Sequence, residues 1–198
     1  MLGSSLCPGG AMSLEQAKKI STPLDKELVK TLQAGEWILL SGWVYTARDQ
    51  AHQRIYELLE QGRELPFSLK DQLIYYTGPS PAKPGEIIGS AGPTTSSRMD
   101  KYTPKLYELG LSATLGKGER SPEIIEAVKK FTVLYLVTIG GAGVYLSERI
   151  KQVKVIAWED LGPEAVYQLY LEDFPCLVAY DSEGKDYFSE QRKKYQKG

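Results

Sequence analysis

The apolar positions of the chain recur with two different spacings that alternate along the sequence. Leu24, Leu28 and Leu32 are four residues apart, which is the spacing of one face of a helix. Residues 132–140 instead form a nearly continuous apolar run that is β-branched at both ends, typical of a strand covered on both faces. Segments of the two kinds follow one another almost throughout, so the sequence predicts an α/β fold with a largely parallel sheet.

Turn formers and caps set the bounds of these elements. Gly35 and Gly62 follow two helical segments as stop signals, and Pro122 behind Ser121 opens a third helix. Helices are therefore predicted over residues 23–35, 48–62, 98–110, 121–131, 141–150, 163–172 and 187–198. Strands are predicted over residues 36–47, 73–78, 86–92, 111–116, 132–140, 151–160 and 174–184, with a break at Gly42.

Composition narrows the classes of function. The chain has 198 residues, of which 42% are hydrophobic, and a formal net charge of −1. This balance gives no general attraction to nucleic acid or to an anionic membrane. Two cysteines, Cys7 and Cys176, and one histidine are too few for a structural zinc site or an iron–sulfur cluster held by this chain alone. We therefore expect free thiols in a reducing compartment.

Residues 1–12 differ in composition from the rest of the chain. They contain Gly, Ser and Pro but lack the basic and apolar regions of a signal peptide. We interpret them as a disordered leader or a cloning remnant, and we expect one catalytic domain over residues 13–198. No apolar run approaches the ~20 residues of a membrane span, so we expect a soluble, cytoplasmic protein.

The loops that follow strands are the candidate sites, because ligands of parallel α/β sheets bind at the carboxyl ends of the strands. In the first loop, Thr46 can cap a helix with Asp49 reaching back, and Arg48 lies in the first turn. The helix dipole disfavours a cation there, which indicates a bound anion. The alternative is a solvated arginine on a capped helix. We interpret His52 as an ordinary hydrogen-bonded histidine.

Residues 87–100 repeat this arrangement with more hydroxyl groups. Ser97 can cap a helix with Asp100 three residues later, and Arg98 again lies in the first turn. Backbone N–H groups and hydroxyls at that turn would form a cradle for an oxyanion. The alternative is a hydroxyl-rich turn that only orders the loop. The hydroxyls available to the cradle are those of Thr94, Thr95 and Ser96.

The third and fourth loops are rich in glycine. Lys117 stands between two glycines, but it is not part of a P-loop because a glycine follows it. The alternative is a solvated lysine in a turn. Gly140, Gly141 and Gly143 match only part of a dinucleotide fingerprint, and we interpret them as a tight strand-to-helix turn.

Arg48, Arg98 and Lys117 belong to three loops that we predict at one rim of the sheet. Arginine offers a planar fork to a carboxylate and lysine offers a point charge. The chain shows no Ser–His–Asp order and no strong pair of acids. The residues themselves indicate a site for a small polyanionic carboxylate or phosphate.

Four segments, residues 41–55, 89–104, 115–121 and 139–151, together resemble the C-terminal region of class I fumarases. The same region occurs as the separate β subunit of two-subunit fumarate hydratases and L(+)-tartrate dehydratases. The resemblance covers roughly residues 20–190 in the order of the family. Its most specific stretch is GPTTSSRMD.

The resemblance implies a swivelling β/β/α domain that hydrates fumarate reversibly to L-malate. It implies a [4Fe–4S] cluster that acts as a Lewis acid on the substrate. This chain lacks the three cysteines of the family, so the cluster would be ligated by a partner α subunit and this chain alone would be inactive. An α2β2 heterotetramer is the expected assembly.

The resemblance also implies roles for single residues. Thr94 would be the base that removes the proton next to a carboxylate, although a threonine hydroxyl needs nearby cations or a relay to act in this way. Asp49 and His52 would support the side chains that contact the substrate. Ser97 departs from the family, which often has glycine there. No residue would ligate a metal. The substrate-binding residues would be Arg48, Arg98, Lys117, Thr95 and Ser96.

Two other functions stay open at this stage. L(+)-tartrate differs from malate by one hydroxyl, and the contacts that discriminate them could lie on the other subunit, so a tartrate dehydratase β subunit is one alternative. The other is a non-catalytic anion-binding module. The presence of Thr94 together with all three cations argues against that module.

Overall fold

A computed structural model describes residues 16–196, which form a seven-stranded sheet together with helices. The strands are β1 (Lys18–Ser21), β2 (Trp37–Thr46), β3 (Leu73–Tyr75), β4 (Ala113–Gly116), β5 (Leu134–Val137), β6 (Ile150–Ala157) and β7 (Val166–Tyr180). The α-helices are α1 (Lys26–Lys30), α2 (Asp49–Glu60), α3 (Thr103–Glu108), α4 (Pro122–Phe131), α5 (Gly143–Ser147) and α6 (Tyr187–Tyr195). The 3₁₀ helices Ser96–Met99 and Glu159–Glu164 precede α3 and β7.

The long strand β7 pairs with both β2 and β5 and thereby completes a ring of five strands. Strands β1 to β5 pair in parallel, each with the next in sequence. Strand β7 runs antiparallel to its neighbours and pairs through residues 168–177 with β2 and through residues 177–180 with β5. Strands β2, β3, β4, β5 and β7 therefore form a closed circuit of pairings, which β1 and β6 extend. The prediction of a mixed α/β fold with mostly parallel strands is confirmed.

Two hydrophobic clusters lie on the two faces of this ring. Side chains alternate across a strand, so neighbouring residues face opposite sides. Ile74 and Tyr135 belong to the cluster that packs under α2, α3 and α4, and that cluster covers the outside of the ring. The other cluster fills the inside. Its members include one residue from each ring strand: Leu40, Tyr75, Leu115, Leu136 and Phe174.

Residues 163–172 were predicted as a helix, and this prediction is wrong. Residues 166–172 are the first half of β7, where Leu169 pairs with Val44 of β2 on one side and with Val153 of β6 on the other. The Leu169 side chain is fully buried. Pairing on both edges supplies hydrogen bonds and burial that outweigh local helix propensity, which is a weak preference.

Two predictions about strand pattern are also wrong. Residues 86–92 form a loop rather than a strand, because Gly89 and Ser90 bond to Ser80 across the loop instead of to the sheet. Gly42 does not break β2, which continues through it at a φ of 107° with a bulge opposite β7. A Cβ at Gly42 would lie 2.4 Å from Thr22 Oγ1, so glycine allows this close approach.

The predicted leader, residues 1–12, lies outside the described residues. Within residues 16–196, no helix is long and apolar enough to cross a membrane.

Candidate functional site

Four loops meet at one edge of the ring, where the parallel strands β2, β3, β4 and β5 end. The loop after β3 touches the loop after β5 through the Ala91 N–H, which donates to the Gly143 carbonyl at 3.2 Å. It touches the loop after β4 through the Ser96 N–H, which donates to the Lys117 carbonyl at 3.0 Å. The structure therefore brings together the loops that the sequence placed on one rim. We call this edge the loop rim.

Arg98 lies in the 3₁₀ helix Ser96–Met99 and pairs with a carboxylate of the protein. Its Nε donates to Asp49 Oδ1 at 3.2 Å, and its Nη2 lies 2.9 Å from Asp49 Oδ2. The predicted cap is wrong, because the first turn has no side-chain cap and Asp100 is held elsewhere. About half of the Arg98 side chain remains exposed at the rim. Asp49 therefore orients a guanidinium that a ligand can still reach.

Arg48 precedes α2 and also has a protein carboxylate nearby. Glu164 accepts the Gln50 N–H at 2.9 Å, and its other oxygen lies 3.9 Å from Arg48 Nη2. Glu164 thus fills the anionic position at the start of α2. The predicted capping box is wrong, because the Thr46 hydroxyl accepts the Tyr167 N–H at 3.0 Å instead. The strand β2 continues to Thr46 and turns its hydroxyl toward β7.

The carboxylates beside Arg98 and Arg48 account for a cation at the start of each helix. Asp49 and Glu164 are the nearby anions, so the dipole alone does not require a ligand at either arginine. A different observation bears on Arg48: its Nε is buried and has no hydrogen-bond partner within residues 16–196. A buried guanidinium N–H without an acceptor costs folding free energy unless another group accepts its hydrogen bond.

Lys117 follows β4 and is fixed through its backbone. Its N–H donates to Ser96 Oγ at 3.1 Å, and its carbonyl accepts the Ser96 N–H. Ser96 is fully buried above Gly116, where an added Cβ would collide with its hydroxyl at 2.0 Å. Ser96 therefore supports Lys117 rather than facing the rim. The Lys117 side chain passes Gly140, whose added Cβ would lie 3.6 Å from the Lys117 Cδ.

Thr94 and Thr95 lead from the loop after β3 into the 3₁₀ helix. The Thr94 N–H donates to the Tyr76 carbonyl at 2.7 Å, which fixes its backbone to the end of β3. Its side chain is partly exposed, and its hydroxyl makes no hydrogen bond to any of the residues that the structure describes. Thr95 is exposed and forms a parallel bridge with Lys117. Thr94 thus offers an unengaged hydroxyl beside the loop that carries Lys117.

His52 is fully buried behind the rim. Its Nδ1 lies 2.8 Å from the Arg48 carbonyl, and since a carbonyl only accepts, this nitrogen carries the proton. Burial lowers the pKa of His52 from 6.5 to about 4, so the ring is neutral near pH 7. The ring packs between Tyr76 and Tyr102. His52 therefore holds the backbone of Arg48 in place, as the interpretation of an ordinary hydrogen-bonded histidine expected.

Sequence reasoning missed Glu164 and Arg120. Glu164 reaches α2 from a segment more than a hundred residues away, and no local pattern signals such a contact. Arg120 lies in the loop after β4, where its side chain is buried and pairs with Asp100. The only available signal was its place in the stretch LGKGERS, three residues after Lys117.

No metal site is evident in the described part of the chain. Within residues 16–196, no group of three His, Cys, Asp or Glu side chains could hold a metal ion. Cys176 is fully buried in β7, and burial raises the pKa of its thiol. A thiol in this state is a poor metal ligand and a poor nucleophile.

The ring and its cation-bearing edge define a mixed α/β domain of the kind that holds small ligands at the ends of its strands. Over residues 9–191 the chain matches the family described as Fumarase C-terminus, and it belongs to that family.

Named relatives fall into two groups of different length. Fumarate hydratase 2 of Leishmania major is 39% identical over 174 residues, which make up 86% of this chain and 31% of that protein. The anaerobic class I fumarate hydratase of Escherichia coli strain K12 is 40% identical over 153 residues, or 76% of this chain and 28% of that protein. The L(+)-tartrate dehydratase subunit beta of the same strain is 30% identical over 181 residues, or 89% of each chain. The chain thus spans less than a third of these fumarate hydratases and most of that β subunit.

Proposed function

We propose that this chain is the β subunit of a class I fumarate hydratase, which hydrates fumarate reversibly to L-malate together with an α subunit in the cytoplasm. The observation that carries the proposal is the loop rim, where Arg48, Arg98 and Lys117 accompany the unengaged hydroxyl of Thr94. Family membership and the names of the relatives support the reaction class.

In this proposal the cations bind the two carboxylates of the substrate. Arg98 is the principal contact, because Asp49 fixes one edge of its guanidinium while half of the side chain stays accessible. Arg48 contributes the part of its guanidinium that stays accessible, since about a quarter of its side chain is exposed, and Lys117 contributes a point charge from the loop after β4. Thr95 lies beside them as a further polar contact. A direct contact between Ser96 and the substrate stays a prediction, since Ser96 is buried here.

Thr94 is proposed to exchange the proton on the carbon next to a substrate carboxylate. A neutral hydroxyl is a weak base, so its alkoxide must be stabilised while the proton is transferred. Cations on the neighbouring loops supply that stabilisation by simple Coulomb attraction. His52 remains neutral and fixes the Arg48 backbone, so it takes no part in the transfer.

The iron–sulfur cluster of this reaction does not fit the present chain. The whole sequence has two cysteines, fewer than the three that the family resemblance requires. We therefore propose that an α subunit ligates the [4Fe–4S] cluster and places it against the loop rim. The proposed assembly is an α2β2 heterotetramer in which this chain forms a swivelling β/β/α domain.

A tartrate dehydratase β subunit is the second candidate. It is supported by the similarity to the L(+)-tartrate dehydratase subunit beta of Escherichia coli, which is 30% identical over 181 residues. The two substrates present the same pair of carboxylates to the rim, and the extra hydroxyl of tartrate distinguishes them.

Anaerobic co-expression with a cysteine-bearing α chain tests both candidates. We expect the purified complex to interconvert fumarate and malate faster than it dehydrates L(+)-tartrate. Faster turnover of tartrate would replace the first candidate by the second. If the cluster is intact and none of these substrates is turned over, both are wrong and a non-catalytic anion-binding module is the remaining account. Light scattering of the same sample measures the proposed α2β2 mass.

A further inference from the structure

An arginine without any exposed side-chain surface lies beneath the loop rim. Arg120 Nε donates to Asp100 Oδ1 at 2.5 Å, and its Nη2 donates to Thr103 Oγ1 at 2.8 Å. The guanidinium lies between two rings, 5.4 Å from the centroid of Tyr76 and 5.0 Å from that of Tyr135. Its hydrogen bonds and its two aromatic neighbours hold it in a single orientation.

Stability alone does not account for this group. Burying a guanidinium against a carboxylate carries a large desolvation cost, and well-packed apolar residues often stabilise a fold equally well. A buried ion pair is better explained by the geometry that it fixes. The relevant question is which segments of the chain Arg120 and Asp100 connect.

The pair joins the segments that carry two of the rim cations. Asp100 lies two residues after Arg98, and its second oxygen accepts the Ser121 N–H at 2.8 Å. One carboxylate therefore holds two consecutive residues of the loop after β4. At the other end of the same segment, Ser96 exchanges hydrogen bonds with the backbone of Lys117. Arg98 and Lys117 are thus held on segments that are bonded to each other at both ends.

The last residue of β7 also bonds to the loop that carries Arg120. The Tyr180 hydroxyl of β7 accepts the Arg120 N–H at 2.9 Å. Thr103, at the start of α3, accepts a hydrogen bond from Arg120 and donates one to the Met99 carbonyl at 2.9 Å. The loop after β4, the 3₁₀ helix and α3 therefore share one buried network.

We propose that Arg120 is a positioning residue that, with Asp100, sets the separation of Arg98 and Lys117 so that both meet the carboxylates of one dicarboxylate. The dicarboxylate in this inference rests on the proposed function. The positioning itself rests on the contacts alone. Arg120 touches no substrate and acts only through the two cations.

Hydrogen exchange on the full chain tests the positioning without any activity. Arg120→Lys keeps the charge but loses the planar fork, and Arg120→Met removes both. The matched control is Arg192→Met, which removes a half-exposed arginine that pairs with Glu119 in the same loop. We expect faster exchange in residues 94–100 and 117–121 of the Arg120 variants, with β7 and the control unchanged. A rise spread evenly over the whole chain would overturn the inference, and Arg120→Lys decides the matter if Arg120→Met does not fold.

A double-mutant cycle in the assembled α–β complex then tests the route of action. Arg120→Lys is expected to lower kcat/KM about thirty-fold, mainly through KM, in the otherwise native complex. In an Arg98→Lys background the same change should cost less than about three-fold, because the group it positions is already displaced. Equal losses in both backgrounds would contradict the inference. If the native complex turns over no dicarboxylate, the proposed function fails, and the exchange result alone decides the positioning.

Discussion

The parallel arc of the ring, β2 to β5, and its closing strand β7 differ in what they bury. Ten polar or charged residues are buried within residues 16–196, and nine of them lie between Thr46 and Thr138, on the arc and on the loops and helices that connect its strands. The tenth, Asp181, follows β7. Buried residues of β7 itself are hydrophobic or aromatic along its whole length. The arc therefore carries both hydrophobic packing and a buried polar network, whereas β7 contributes hydrophobic packing and closes the ring.

The difference indicates that residues that stabilise the ring and residues that could contact a ligand lie largely in different parts of the domain. The four strands of the arc, β2 to β5, end at the loop rim, so substitutions at the rim should change ligand contacts more than the free energy of unfolding. Substitutions in β7 should do the reverse.

Arg98→Ala is expected to give the largest effect on activity. Loss of the guanidinium removes the proposed charged contact to the substrate and leaves Asp49 without Arg98, so kcat/KM should fall about a thousand-fold. The melting temperature should stay close to that of the native chain because half of the side chain is exposed. Arg192→Ala, which also removes a half-exposed ion-paired arginine, is the control. Steady-state kinetics that show near-normal turnover would mean that the substrate lies elsewhere.

Thr94→Val removes the proposed proton-transfer group while keeping the shape of the side chain. A general base contributes roughly 10²–10⁴-fold, so kcat should fall by about three hundred-fold, while KM changes little. Ser97→Ala is the matched control, since Ser97 is exposed on the same segment and is not among the proposed substrate contacts. Single-turnover rates measured on both variants decide the point, and equal losses would reject the special role of Thr94.

Leu169→Ala tests the other side of the comparison. Leu169 is fully buried between β2 and β6, and truncating such a leucine costs about 3 kcal/mol of unfolding free energy. The folded fraction should keep its native KM, because no residue of β7 is among the proposed substrate contacts. Val155→Ala on β6, where the side chain is 45% exposed, should change stability little. Urea titration measures both, and a raised KM in Leu169→Ala would break the separation.

His52→Phe gives the smallest predicted effect, and it depends on pH. Burial holds the pKa of His52 at about 4 in the folded chain, whereas its ordinary value of 6.5 applies to the unfolded chain, so the unfolded chain binds the proton first as the pH falls. Native stability should therefore decrease below pH 6.5, by about 2 kcal/mol between pH 7 and pH 5, relative to the variant. The loss should level off below about pH 4. Parallel pH curves for the native chain and His52→Phe would show that His52 does not carry this dependence.

The fold was predictable wherever local pattern and tertiary structure agree. The apolar run that became β5 and the amphipathic spacing of α4 are readable from neighbouring residues. Residues 163–172 were misread because what decides the structure there is pairing of β7 with β2 and β6. No window of neighbouring residues contains that information. Closure of the ring was missed for the same reason.

The position of the three cations at the loop rim was predictable, but their partners were not. Arg48, Arg98 and Lys117 were assigned to one rim because they follow strands that end at one edge. Asp49 was read as a reach-back cap, whereas it pairs with Arg98 across two loops. Glu164 was not foreseen at all, because it meets α2 only after β7 has closed the ring.

The most direct test of the central claim is a crystal structure of the assembled α–β complex with malate bound. The account predicts electron density for the malate carboxylates at the loop rim, within hydrogen-bond distance of Arg48, Arg98 and Lys117 and with Thr94 facing the carbon that loses its proton. Malate bound elsewhere, with these three side chains turned away from it, would contradict the account.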